Sequence, residues 1–254
     1  MHDQPEETQP GVEPPGYVQL SDAVNRFSSG RLRIHHHVRD DSPLLRQTFK
    51  HPDAALDNAT CQIVKSDRTT TVGTVSLDGK RFVIKRYNTK NLWHRVRRSV
   101  RRSRAENCWH FGHLLHGLGV PTAPAVAWIQ ESVGPLNARS WFISDFIEGP
   151  TCQDYLTSEI EFTQAKIVLH RIVEVWKTLR DHHISHGDMK ASNILLRWER
   201  PLLVDLDAMR QHRSRRSYQD ALESDVQRFL KNWQKSPQLL EASRKLLASE
   251  KFPV

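Results

Sequence analysis

The stretch that most constrains this chain runs from residue 182 to residue 207. It reads His186-Gly187-Asp188-Met189-Lys190-Ala191-Ser192-Asn193, then Ile194-Leu195-Leu196, a turn at Glu199-Arg200-Pro201, and Leu202-Leu203-Val204-Asp205-Leu206-Asp207. Before it, residues 165–181 set Ile167, Val168, Ile172, Val175, Trp176 and Leu179 at helical spacing, which predicts a buried amphipathic helix. A long helix therefore feeds a polar loop, and the loop feeds two short apolar strands. Such an arrangement holds Asp188, Asn193 and Asp205 at the ends of neighbouring elements, where one cleft can collect them.

Upstream, the pattern is that of antiparallel strands. Residues 61–64, 72–77 and 81–87 read as three of them, the last two joined by Asp78-Gly79, a strong two-residue hairpin signal. A helical stretch over 92–116 ends at Gly117 and Gly119, with Pro121 beyond. Residues 125–129 and 140–146 read as two more strands around Gly134-Pro135, and Glu148-Gly149-Pro150 reads as a link to a mainly helical remainder, helical again over 217–250. The predicted class is α+β with two lobes: an N-terminal antiparallel five-stranded sheet with one helix, then a short helical lobe. Residues 1–16 read as a disordered tail, 17–55 as an N-terminal extension, 56–147 as the first lobe and 148–254 as the second. The extension holds His35-His36-His37, read as a surface strand or loop.

Composition narrows the classes. A chain of 254 residues suits one large domain or two small lobes. Apolar residues make up 38% and no run reaches the roughly 18 to 20 apolar residues of a spanning helix. Three separated cysteines and no signal-like start point to the cytoplasm. The net charge is +8, yet residues 80–104 hold eleven Lys and Arg and no acid, so the rest of the chain is net acidic. Arg95, Arg97, Arg98, Arg101 and Arg102 form the centre of that patch, and Arg210, Arg213, Arg215 and Arg216 form a second cluster. Local charge of this density draws polyanions such as anionic headgroups, phosphorylated glycans or nucleic acid. A solvated helix face accounts for it equally well.

The chemistry-bearing residues fit phosphoryl transfer. Asp188 is placed to accept the proton of an attacking hydroxyl. Asn193 and Asp205 supply the one or two hard oxygen ligands that magnesium usually takes from protein, and Asp207 competes for that role. Lys85 sits on the third strand, at the phosphates, and Glu106, the first acid after the basic stretch, could pair with it. Positioning and charge stabilisation are most of what such a reaction asks of a protein.

With these residues in this order, the chain resembles the protein-kinase-like superfamily. More narrowly it is similar to the bacterial lipopolysaccharide kinases, the Kdo/heptose kinase family. The resemblance runs from about Cys61 to Trp233 and is carried by Phe82-Val83-Ile84-Lys85-Arg86-Tyr87, Gly119-Val120-Pro121-Thr122, Phe146-Ile147-Glu148-Gly149, His186-Gly187-Asp188, Val204-Asp205-Leu206-Asp207 and Asp225-Val226-Gln227-Arg228-Phe229-Leu230. It implies a Lys85–Glu106 ion pair, Asp188 as base, Asn193 and Asp205 as metal ligands, Phe146 and Glu148 near adenine, His186 bracing the loop, and Asp225 bracing it from a later helix. ATP and magnesium are the implied cofactors. Three departures stand out: one glycine (Gly73) where protein kinases carry three, Asp205-Leu206-Asp207 in place of their metal-binding triplet, and Gly187 in place of an arginine that reads a phosphorylated loop.

Only 47 residues follow Asp207, too few for a peptide-holding platform. That suits a small or extended non-peptide acceptor, and the basic patch suits an anionic one in a membrane leaflet. The leading expectation is an ATP-dependent kinase of a heptose or Kdo hydroxyl on lipid-linked core oligosaccharide, at the cytoplasmic face of the inner membrane, with no nucleic acid as partner. A soluble kinase of the aminoglycoside or choline type, and a catalytically weak pseudokinase or basic scaffold, are the alternatives.

Overall fold

The computed structural model describes residues 23–88, 102–134 and 136–254. Its first lobe is a seven-stranded antiparallel sheet. The strands are β1 (Val24–Ser29), β2 (Leu32–His37), β3 (Gln62–Ser66), β4 (Thr70–Leu77), β5 (Lys80–Tyr87), β6 (Ala125–Val133) and β7 (Leu136–Asp145). Their order across the sheet is β1-β2-β6-β7-β5-β4-β3. Five of these are the strands the sequence pattern predicts. The other two correct the five-stranded expectation, and they come from the extension at 17–55.

The reason lies in the histidine run. His35 stacks on Trp128 with ring centroids 4.4 Å apart, His36 lies against Phe49, and His37 stacks on His113 and Trp109. Burial holds His35 below its ordinary pKa of 6.5, with Arg26 and Arg33 adding to the shift. These imidazoles pack as aromatic rings do, and a run that looks like surface is mostly interior.

Local chemistry fixes the rest of the sheet. Asp78 and Gly79 both take left-handed backbone angles (φ +50° and +74°), so Leu77 pairs with Lys80 and Val72 with Lys85. Helices α1 (Pro43–Lys50) and α2 (Pro52–Leu56) cover one face. The α2 carboxylate of Asp53 accepts from the Trp141 indole at 2.9 Å and from Arg139 at 2.6 Å. Helix α3 (Arg104–Gly117) carries an N-cap at Ser103, whose hydroxyl accepts from the Glu106 amide at 3.2 Å. The expected earlier start of this helix falls at 92–101, where all but Arg102 to Arg104 of the arginine run lies outside the described residues.

The second lobe contains α4 (Cys152–Thr157), α5 (Phe162–Asp181), β8 (Ile184–Ser185), β9 (Ile194–Arg197), β10 (Arg200–Leu203), β11 (Arg210–Gln211), α6 (Arg215–Lys231) and α7 (Pro237–Ser249). Helix α5 buries Ala165, Val168, Leu169, Ile172, Val173, Trp176 and Leu179. Ile167, expected on that stripe, is 38% exposed, because it stands one residue and about 100° off the buried line. The lobes meet at Gly149, whose φ of +153° and close approach to the Leu196 carbonyl leave no room for a Cβ. The Leu203 amide donates to Pro121 at 2.9 Å and the Thr122 hydroxyl to Leu203 at 2.8 Å, tying β10 to the first lobe. Among the described residues, no helix is long and apolar enough to cross a membrane.

A candidate active site between the lobes

Strand β5 delivers Lys85 to the cleft from one side, and the residues after β10 deliver Asp205 from the other. The Lys85 ammonium donates to Asp205 and lies 3.6 Å from Asp207. Burial pulls the Lys85 pKa down, but the two carboxylates outweigh it and hold the ammonium above its ordinary value. Burial likewise opposes ionisation of Asp205, and the Lys85 charge and hydrogen bond, helped by His186 and Arg104, overcome it and hold the carboxyl low. Asp205 has left-handed backbone angles (φ +61°), an unusual conformation for a residue with a side chain.

Asp205 and Asp207 are not equivalent. Asp205 is 34% exposed, whereas Asp207 is 8% exposed and bound by Arg104 at 2.6 Å. The Asn107 amide, one turn along α3, donates to the carbonyls of Asp207 and Met209, both at 3.1 Å. Helix α3 thereby grips the segment that carries both carboxylates. Arg104 counted only as charge in the sequence, and Asn107 escaped it altogether. Their signal was the three-residue spacing that sets both on one helix face.

Glu106 does not join this cluster. It makes no ion pair among the described residues, and its residue lies half-buried on α3. The face of α3 turned to β5 carries Ala105 and Cys108, and the Tyr87 hydroxyl lies 3.2 Å from the Cys108 sulfur. Two residues from Cys108, Glu106 is about 200° round the helix. The pairing expected for Lys85 is therefore corrected to Asp205 and Asp207. Burial pushes the Cys108 thiol up to about 12, so it stays protonated beside the lysine.

The residues of the polar loop at 186–193 are tightly held. The buried carboxylate of Asp225, on α6, accepts from the amides of His186 (2.8 Å), Gly187 (3.0 Å) and Met189 (3.4 Å). His186 is wholly buried and its Nε2 donates to the Val204 carbonyl at 3.1 Å. Burial keeps its pKa below 6.5 despite the nearby Asp225. Asp188 takes a hydrogen bond from Lys190 at 2.9 Å and one from the Asn193 amide at 3.2 Å. Because the Asn193 nitrogen donates to Asp188, its Oδ1 remains for another partner.

This donor set suits magnesium bound to a nucleotide. Asp205 and Asn193 offer two hard oxygens, and Lys85 offers a phosphate-seeking cation beside them. No group of three or more His, Cys, Asp or Glu side chains gathers into a metal cage among the described residues.

The β3–β4 tip is a tight turn in which the Asp67 carboxylate accepts from the Thr69 and Thr70 amides at 2.7 and 2.9 Å. Those hydrogen bonds, from the Thr69 hydroxyl and amide first, hold the Asp67 carboxyl well below its usual range. The two amides are thus engaged within the turn rather than offered to phosphate. Gly73 lies within β4, where a Cβ would meet the Cys61 sulfur at 2.6 Å, so its glycine serves packing. In the linker, the Arg81 guanidinium sits 4.1 Å over the Phe146 ring. The Glu148 side chain is 85% exposed and pairs with Arg81 at 3.3 Å.

Comparison with known proteins decides the family. The model of the Kdo/WaaP lipopolysaccharide kinase family matches residues 55–245, three quarters of the chain. The chain belongs to the lipopolysaccharide kinase family. Its members are kinases, so this lipopolysaccharide kinase is a phosphotransferase whose implied donor is ATP. Among solved structures, the chain is similar to "WaaP in complex with acyl carrier protein" at a TM-score of 0.54 and 16% identity, over 83% of this chain and 91% of that one. At that identity the likeness is one of fold. No curated protein matches.

Proposed function

We propose that this lipopolysaccharide kinase transfers the terminal phosphoryl group of ATP to a heptose or Kdo hydroxyl of the lipopolysaccharide inner core, at the cytoplasmic face of the inner membrane. The observation that carries the reading is a pair of contacts in a chain of this family: Lys85 of β5 with Asp205 after β10, and Asp188 with Asn193 in one loop, whose Asn193 carbonyl accepts from the Val204 amide at 3.0 Å. Lys85 binds on the phosphate side, held in place by Asp205 and Asp207. Asp205 and Asn193 would hold magnesium, which when bound neutralises charge on the phosphates. Asp188, oriented by Lys190 and Asn193, takes the proton of the acceptor hydroxyl at its carboxylate. The new bond joins that hydroxyl oxygen to the γ-phosphorus, and the bond to the bridging oxygen breaks as ADP leaves. The arginines at 95, 97, 98 and 101 would dock the protein on anionic headgroups, each contributing about 1 kcal/mol. An acyl carrier protein is the partner in the WaaP structure, and a protein partner of that kind belongs to this reading as well.

The test has two arms. Purified protein with labelled ATP, magnesium and core oligosaccharide should label the sugar, and Asp188→Asn should remove the label. Mass spectrometry of core oligosaccharide from a deletion strain should lack one phosphate. An unchanged core, with no labelling in vitro, would defeat the reading.

A further inference from the structure

A cavity of about 620 Å³ opens beside the loop at 186–193 and shares Arg104 and Asp207 with the cluster around Lys85. Its walls come from the start of α3 (Arg102, Arg104, Asn107), from Gly187, from the segment after Asp207 that includes Arg210, and from Arg228 on α6. Four arginines face one carboxylate there, that of Asp207. Two of the four are engaged: Arg104 binds Asp207, and Arg228 donates to the Gly187 carbonyl and lies 3.8 Å from Asp225. The side chains of Arg102 and Arg210 have no hydrogen-bond or ion-pair partner among the described residues, and both residues are exposed. Two uncompensated guanidinium groups in a concave site, with neighbours already neutralised, select an anion.

Gly187 lets its loop lie close against Ala208 on the cavity wall. Its φ is +80°, and a Cβ there would meet the Ala208 carbonyl oxygen at 2.6 Å. The cation absent from position 187 is thus supplied in space by segments on either side. The anion does not come from the chain's own loop. Only six residues separate Ala208 from the start of α6, and their hydroxyl neighbours are in use. Ser214 caps α6 by accepting from the Ser217 amide at 3.1 Å, and the Ser217 hydroxyl lies 2.9 Å from His212. The anion must arrive with another molecule, and the molecule that has to lie beside Gly187-Asp188 is the acceptor.

We propose that this cavity is a recognition subsite for a phosphate or carboxylate carried by the sugar acceptor, with Arg102 and Arg210 as its ligands. The inference rests on the kinase reading above and assigns two residues that select the acceptor.

Calorimetry with full-length protein tests it, using glucose 6-phosphate, glucuronate, glucose and inorganic phosphate as probes. A non-hydrolysable ATP analogue is kept saturating, so that the nucleotide's own phosphate contacts are occupied. Wild type should bind glucose 6-phosphate or glucuronate and not glucose, and Arg102→Ala and Arg210→Ala should each weaken binding roughly tenfold. Arg210→Lys should recover part of the loss. With core oligosaccharide as acceptor, the same variants should raise its KM roughly tenfold and leave the KM for ATP unchanged. Inorganic phosphate bound as tightly as the sugar phosphate would overturn the subsite, as would unchanged affinity in both alanine variants. Arginine-dependent binding in a protein without transfer activity would defeat the kinase reading alone. Transfer with arginine-independent binding would defeat the subsite alone.

Discussion

Lys85 takes its counter-charge from the segment after β10, and the phase of α3 explains why. A side chain two residues from the one that touches β5 faces elsewhere, however suggestive its distance in sequence. Glu106→Gln should therefore leave kcat/KM within a few-fold of wild type. Asp205→Ala should abolish transfer, while Asp207 at 3.6 Å still compensates the Lys85 charge. Asp207→Ala should differ in kind: it strands the partly buried Arg104, so differential scanning should report a loss of roughly 1–3 kcal/mol alongside a smaller loss of rate. Equal kinetic losses with equal melting points would mean that the two carboxylates share one task. Lys85, Asp188, Asn193 and Asp205 were legible because their chemistry and order are distinctive. Arg104 and Asn107 were not, since a gripping role appears only when the helix is set against the strand it grips.

At the level of elements, α6 acts as the support of the catalytic loop through one carboxylate. Asp225 satisfies three loop amides from a site that is 2% exposed. Asp225→Ala should cost about 3 kcal/mol in urea unfolding and suppress transfer, because three buried donors lose their acceptor together. Asp225→Asn, which keeps one acceptor oxygen, should cost less of both. The sequence exposed those elements whose pattern stands on its own: the Asp78-Gly79 hairpin, the stripe of α5 and the turn before β10. It concealed the β1–β2 hairpin, because β2 buries imidazoles where the pattern looks for aliphatic side chains. It misplaced Ile167 because an apolar residue adjacent to a stripe is indistinguishable from one within it until the facing element is known.

Over the whole molecule, buried imidazoles set the response to acid. Burial holds His35, His110, His186 and His212 below the ordinary value of 6.5. The unfolded chain takes up those protons as pH falls through 6.5, and the folded chain resists them until lower pH. Stability is thus full above that value and drains away below it. The urea midpoint should fall between pH 7.5 and pH 5.5, and His186→Asn should flatten that slope; a midpoint that rose on acidification would contradict the sign. The added hairpin has one more effect. Strand β6 is buried from Ala125 through Gln130, and β2 occupies its outer rim. A chain cut back to residue 40 would bare a greasy, unpaired border ready to zip onto its own kind, so deletion there should yield insoluble clumps rather than a leaner enzyme.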